Sequence, residues 1–214
     1  MPDFDIGLRY YTVIPDGYLD EFRASFIDDD VRLSEQELEP APFNAMEWVI
    51  PTAVAVYVAK PFLDAIIKRA ADDFGDAVYP RIKAAIINLA KKLYVRERLP
   101  LVMITSQGPN DDSSDVIQFS ICSETTTKRR IKFVFTKTYA EQQYETCIDQ
   151  IFTILAEHHG SGDGRDALSQ QIAQLPAIRR DQIFLVYDDE SETWSVRDPI
   201  QATLDRKRAS DQGS

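Results

Sequence analysis

The feature that most constrains the fold is an uncharged run at residues 48–59, WVIPTAVAVYVA, in which only Thr52 is polar. A helix on a protein surface shows a polar stripe, so a helix that is apolar on every side must lie in a core or in lipid. Pro51 is suited to the first turn of a helix. We therefore predict a central, buried, apolar helix near residues 50–60.

Lipid is the alternative environment for this run. Its twelve residues are too few to cross a bilayer, which takes roughly 20. An extension over residues 46–67 includes Lys60, Pro61 and Asp64. The acidic flank before the run and the basic amphipathic segments after it are nevertheless typical of a membrane-associating hairpin. A membrane is a disfavoured partner, and a membrane-acting effector with a sequestered apolar helix at 46–67 is the alternative function.

Two amphipathic segments follow this run. Apolar residues recur at helical spacing over residues 63–74 and again over residues 82–93. Gly75 and Pro80 lie between the two apolar stripes and predict a break. We therefore predict two or three helices over residues 50–95.

Strands are predicted at both ends and in the middle of the chain. Residues 4–14 alternate between apolar and polar side chains, as a half-buried strand does. Residues 101–136 repeat this period three times with short connectors, which favour antiparallel pairing because parallel strands need long crossovers. Residues 183–196 predict a hairpin.

Helices are also predicted at residues 19–26, from Thr138 to Gly160, and over residues 167–173. The predicted fold class is α+β: an antiparallel sheet, made of the meander 101–136, the N-terminal strand and the C-terminal hairpin, packs against helices. The predicted organisation is an acidic region at 1–47, an α+β core at 48–200 in the same domain, and a frayed tail at 201–214.

Negative charge is concentrated near the N-terminus. The net charge is −11, and residues 1–59 hold twelve acidic residues against three arginines. This balance argues against duplex DNA, whose binding depends on clustered positive charge. An acidic surface instead attracts a basic protein partner. The predicted partner-binding residues are Asp20, Glu21, Asp28, Asp29, Asp30, Glu35, Glu37 and Glu39.

Residues 80–98 form a basic segment with six basic residues and one acidic residue. Our first interpretation is that this segment pairs with the acidic N-terminal region within the chain, because that explains both charge clusters. Contact with lipid or with a partner is the alternative. The candidate residues for that contact are Trp48, Arg81, Lys91 and Lys92.

Catalytic and metal-binding motifs are absent from the sequence: it has no phosphate-binding loop, dinucleotide fingerprint, nucleophile elbow or zinc-type cysteine spacing. His158 and His159 precede a glycine-rich loop with Asp163. Adjacent histidines point about 100° apart on a helix and therefore seldom share a metal. We interpret them as residues that complement the C-terminal dipole of their helix. A hydrolase that uses these histidines is the alternative.

Two cysteines without a disulfide framework, and an acidic N-terminus where a secretory signal would be basic, predict a reducing, cytoplasmic location. Cys122 and Cys147 are interpreted as structural thiols, the latter on the buried face of its helix. The predicted function is that of a non-enzymatic intracellular binding protein, such as an inhibitor, an immunity-type protein or a regulatory subunit. No cofactor is predicted.

Overall fold

The computed structural model describes residues 5–26, 31–39, 52–69, 75–96, 103–105, 108–110, 117–135, 139–161, 164–175 and 182–197. The strands are β1 (Ile6–Tyr11), β2 (Leu33–Leu38), β3 (Thr52–Val58), β4 (Met103–Thr105), β5 (Gly108–Asn110), β6 (Ile117–Glu124), β7 (Arg130–Val134), β8 (Gln182–Asp188) and β9 (Thr193–Arg197). The helices are α1 (Asp20–Ala24), α2 (Lys60–Arg69), α3 (Gly75–Lys91), α4 (Glu141–Ser161) and α5 (Ala167–Gln174).

Seven strands form one sheet in the order β2-β1-β3-β6-β7-β8-β9. The hairpins β6–β7 and β8–β9 are antiparallel, as predicted. The pairs β1–β2, β3–β6 and β7–β8 are parallel, because helices lie between the two strands of each pair in the chain. The fold is α+β, but the sheet is mixed and the prediction of a purely antiparallel sheet is wrong.

The apolar helix predicted near residues 50–60 is also wrong, because this segment forms β3 at the centre of the sheet. Three valines on one face of β3 are fully buried, and Ala55 and Tyr57 on the other face are half-buried, so few positions need to be polar. β-Branched side chains at every second position suit a strand. The buried face carries Val54, Val56 and Val58.

The helices predicted after this segment are confirmed, with shifted boundaries. α3 begins at Gly75 and continues through Pro80, so the predicted break at this proline is wrong. Pro80 is the sixth residue of α3, so the helix continues although it lacks the one N–H bond that this position would make to the Asp76 carbonyl. α4 runs one residue past Gly160, its predicted end. A π-helical turn at Lys92–Arg96 follows α3.

The helices contact one another in one layer, with α3 against α1, α2 and α4, and α5 against α4 and β9. Buried aromatic rings join this layer to the sheet. The Tyr94 hydroxyl donates to the Phe135 carbonyl at 2.6 Å and accepts from the Phe119 amide at 3.2 Å. Trp194 donates through Nε1 to the Cys147 carbonyl at 3.0 Å, and the burial predicted for Cys147 is confirmed.

The first part of the predicted meander is wrong. β4 pairs with β5 in a separate two-stranded sheet instead of joining β6. Only two residues separate β4 from β5 in the chain, which favours antiparallel pairing of these two segments, whereas β6 pairs with β3. In the part of the chain that the structure describes, no helix is both long and apolar enough to cross a membrane.

Candidate functional site

Five of the eight predicted acidic residues lie on or beside α1 and β2, at one edge of the sheet. α1 follows β1 and packs beside the outermost strand β2, so acidic side chains of both elements share a surface. Residues 27–30 and 40–50 lie outside the described residues, and with them Asp28, Asp29, Asp30 and Trp48. We call the remaining group the acidic surface; it consists of Asp20, Glu21, Glu35, Glu37 and Glu39.

Arg23 of α1 forms ion pairs with two residues of the acidic surface, one on α1 and one on β2. Its guanidinium binds Glu35 at 2.9 Å and Asp20 at 3.0 Å. It also donates to the Tyr10 hydroxyl of β1 at 3.0 Å and lies 5.6 Å from the centre of that ring. The hydrogen bond to Glu35 is the main cause of the raised pKa of Arg23. One cation therefore fixes α1 against β1 and β2 and neutralises part of the acidic surface.

The other three members carry the uncompensated charge. Glu21, Glu37 and Glu39 are exposed, and the ion pairs found among the described residues do not include them. The Asp20 side chain is 70% exposed although Arg23 contacts it. The acidic surface therefore keeps a negative potential after its internal pair is formed.

Among the described residues, ion pairs of the basic segment 80–98 join it to α4. Lys83 binds Asp149 at 2.7 Å and Lys91 binds Glu145 at 2.7 Å, so α3 is held to α4. Arg96 binds Glu141, again on α4. Periodicity along one helix does not indicate which neighbour it packs against, and α4 is the acidic element that reaches these cations.

The candidate contact residues of this segment differ in exposure. Lys91 is buried at 8% exposure. Lys92 donates to the Tyr18 carbonyl at 2.9 Å and lies 4.5 Å above that tyrosine ring. Arg81 is exposed and lines, with Lys92 and Glu21, a groove of about 190 Å³ between α1 and α3. This groove therefore places two basic residues next to Glu21, at the border of the acidic surface.

The histidines lie in the last turn of α4, as predicted. In addition to their position near the C-terminal dipole of this helix, they form hydrogen bonds with the β6–β7 turn. His158 is buried, and its Nε2 accepts the Thr126 amide at 3.2 Å. His159 donates through Nε2 to the Glu124 carbonyl at 2.9 Å, and burial is the main cause of its lowered pKa. Both rings thus fasten the β6–β7 turn to α4. Asp163 lies outside the described residues.

A serine, a histidine and an aspartate also meet at this point. Asp166 Oδ1 and Ser169 Oγ both lie at Nδ1 of His158, at 3.1 and 3.3 Å. A hydrolase triad needs the serine and the carboxylate on opposite ring nitrogens. Here the second nitrogen is taken by Thr126. The arrangement therefore orients the buried ring and caps α5 through Asp166, whose Oδ1 accepts the Ser169 amide at 2.9 Å.

A polar row on the other face of the sheet was not predicted. Tyr57, Cys122 and Lys132 are neighbours across β3, β6 and β7. Burial raises the pKa of the Cys122 thiol and lowers the pKa of Lys132. The Tyr57 hydroxyl is hydrogen-bonded to Glu124. The polar residues that alternate with apolar ones in β6 and β7 could have predicted this row, because residues at every second position share one face of a strand. No group of described residues has the composition of a metal site.

A scan against protein-family models, a search of curated proteins and a search of solved structures each found no match for this chain.

Proposed function

We propose that this chain is a non-enzymatic binding protein that uses its acidic surface to bind a basic protein partner. The observation that carries the proposal is the exposed charge of Glu21, Glu37 and Glu39 beside the Arg23–Glu35 pair. The Arg23–Glu35 pair joins α1 to β2, so Glu21 and Glu37, which form no ion pair among the described residues, lie on two elements that contact each other.

Electrostatic complementarity accounts for what such a surface does. Opposite potentials accelerate encounter between two proteins, and like-charged competitors are rejected. Most of the net negative charge of −11 falls within residues 1–59, and the strands β1 and β2 of this region lie at one edge of the sheet. A basic partner gains from this negative charge, whereas nucleic acid and anionic lipid are repelled.

Charge-neutral variants of matched size test the proposal. The test variant carries Glu21→Gln, Glu37→Gln and Glu39→Gln. The control variant carries Glu157→Gln, Glu190→Gln and Glu192→Gln, which change the net charge equally at exposed positions elsewhere. Each protein is immobilised and used to capture partners from an extract of the source cell. The partner is identified by mass spectrometry and its affinity is measured at two salt concentrations.

We expect the wild type and the control variant to retain the same basic protein. The test variant should bind it roughly tenfold more weakly, as three exposed ion pairs of up to about 1 kcal/mol each allow. Its affinity should also depend less on salt. Equal capture by both variants, or an acidic partner, would contradict the proposal.

A further inference from the structure

The outer strand β2 presents backbone groups on one side in addition to its charge. The Arg32 carbonyl accepts the Ile6 amide at 3.2 Å, and the Leu38 carbonyl accepts the Thr12 amide at 2.9 Å. Both bonds join β2 and its flanking residue to β1. Backbone groups of successive residues in a strand point to alternate sides, so even-numbered residues face β1. The amides and carbonyls of Leu33, Glu35 and Glu37 therefore point away from the sheet.

This outer side of β2, which we call the open edge, coincides with the acidic surface. β2 is terminal in the strand order, so no described strand pairs with its outer side. Glu35 and Glu37 stand opposite Leu8 and Tyr10 of β1, so their side chains lie on the face that packs against the helices. The same two residues thus supply both unpaired backbone groups and carboxylates.

We infer that the open edge binds an extended basic segment of the partner, which adds to the sheet as a new outermost strand beside β2. This inference rests on the proposed function. Backbone hydrogen bonds to Leu33, Glu35 and Glu37 supply affinity that is independent of sequence. Basic side chains at every second position of the segment lie across from Glu35 and Glu37, and the carboxylate of Glu37, which forms no ion pair among the described residues, selects the partner.

The charges on the open edge exclude the alternative occupant, a second copy of this chain. Pairing of β2 with β2 places glutamates of one copy beside glutamates of the other, and like charges across neighbouring strands are destabilising. Charged residues on an edge strand are a common protection against such self-association. The same charges attract a segment with lysine or arginine at alternating positions.

Proline substitution separates the backbone contribution from the charge. Glu37→Pro removes an amide that points outward, and it leaves every bond between β2 and β1 in place. Glu37→Gln removes the same charge and keeps the amide. The probe is a short peptide that alternates lysine with valine, and its binding to the full chain is measured by titration calorimetry. Circular dichroism confirms that each variant is folded.

We expect the wild type to bind this peptide, with a loss of roughly twofold for Glu37→Gln. Glu37→Pro should lose a further factor of roughly five, the value of one net hydrogen bond. A peptide that is N-methylated at alternate residues along one side tests the same bonds without changing the chain, and it should bind more weakly by at least that factor. A peptide in which glutamate replaces lysine should not bind.

The outcomes separate the two proposals. Equal binding by Glu37→Pro and Glu37→Gln, together with unchanged affinity for the N-methylated peptide, would overturn the strand addition while the acidic surface remained the binding site. Equal binding of the lysine and glutamate peptides would contradict the acidic surface itself. Failure of the lysine peptide to bind, or dimerisation of the chain through β2, would also overturn the inference.

Discussion

The two edge strands of the sheet, β9 and β2, differ in how their outer sides are covered. At β9 the Val196 amide is bonded to Oε1 of Gln171 on α5 at 2.9 Å, and Trp194 is buried at 3% exposure. At β2 the residues from Ser34 to Glu37 are all exposed, and two of these four residues are glutamates. One edge is closed by packing and the other is protected by charge. Charge permits the β2 edge to accept a basic strand, whereas the β9 edge can accept none without losing α5.

The largest effect is expected at the closed edge. Trp194 contacts the rings of Phe133, Phe135 and Tyr187 with centroid distances of 5.3, 5.3 and 5.6 Å. Trp194→Ala should lower the free energy of unfolding by about 3–5 kcal/mol, because it leaves a cavity among these rings. Trp194→Phe is the control and should lower the free energy of unfolding by a smaller amount. A decrease in the free energy of unfolding of less than about 1 kcal/mol, measured in urea, would contradict the account that packing of Trp194 closes the β9 edge.

The helix α5, which packs against β9, should also become less stable in acid. Burial by itself raises the pKa of Asp166, but hydrogen bonds from Ser169 and His158 outweigh it and lower the pKa from 3.8 to about 2. A depressed carboxylate pKa stabilises the fold above the unfolded-state value, and this stability is lost as the pH falls from about 4 to about 2. The contribution at neutral pH is about 1–2 kcal/mol.

Asp166→Asn isolates this charge, because asparagine still caps a helix. The variant should be less stable at neutral pH and should show a smaller loss of stability between about pH 4 and pH 2. Unfolding in urea across this range provides the measurement. Identical pH profiles for the variant and the wild type would show that Asp166 does not stabilise α5 through its charge.

A smaller effect is expected at Gln171, which closes the backbone of β9 directly. Gln171→Ala should lower the free energy of unfolding by about 1 kcal/mol, because the Val196 amide loses its acceptor. Amide exchange at Val196 should become faster. Gln170→Ala is the control, because this nearby position is exposed and its side-chain amide donates to the Arg165 carbonyl. Unchanged protection of Val196 would mean that its bond to Gln171 does not close the edge.

The smallest change in stability is expected at Arg23. Arg23→Gln removes exposed ion pairs and should cost at most about 1 kcal/mol. It also makes the acidic surface more negative, so association with the lysine–valine peptide should become roughly twofold faster. Arg197→Gln at β9 makes the same charge change at the opposite edge and should leave that rate unchanged. Equal acceleration by both variants would indicate an effect of net charge alone.

Local patterns predicted the closed edge better than the centre of the sheet. The β8–β9 hairpin and α5 were predicted over residues 183–196 and 167–173, because each is formed by segments that are adjacent in the chain. β3 was misassigned because an uncharged run suits a buried helix and a central strand equally well. The valines at alternate positions indicated a strand, but Pro51 suggested the start of a helix.

Local sequence patterns could not predict the order of the strands, because strands that pair in parallel are separated by long segments of the chain. The acidic residues of α1 and β2 were predicted as a group, but the Arg23–Glu35 pair joins positions twelve residues apart and depends on the fold. The bond from Thr126 to His158 spans 32 residues. No periodicity in either segment indicates such a contact.

The most direct test of the account is amide hydrogen exchange with and without the lysine–valine peptide. In the free chain the amides of Leu33, Glu35 and Glu37 should exchange fast, and the Val196 amide should be protected by Gln171. The peptide should slow exchange at these three positions of β2 and leave Val196 unchanged. Peptide-dependent protection at β9 instead, or none at β2, would contradict the assignment of β2 as the binding edge.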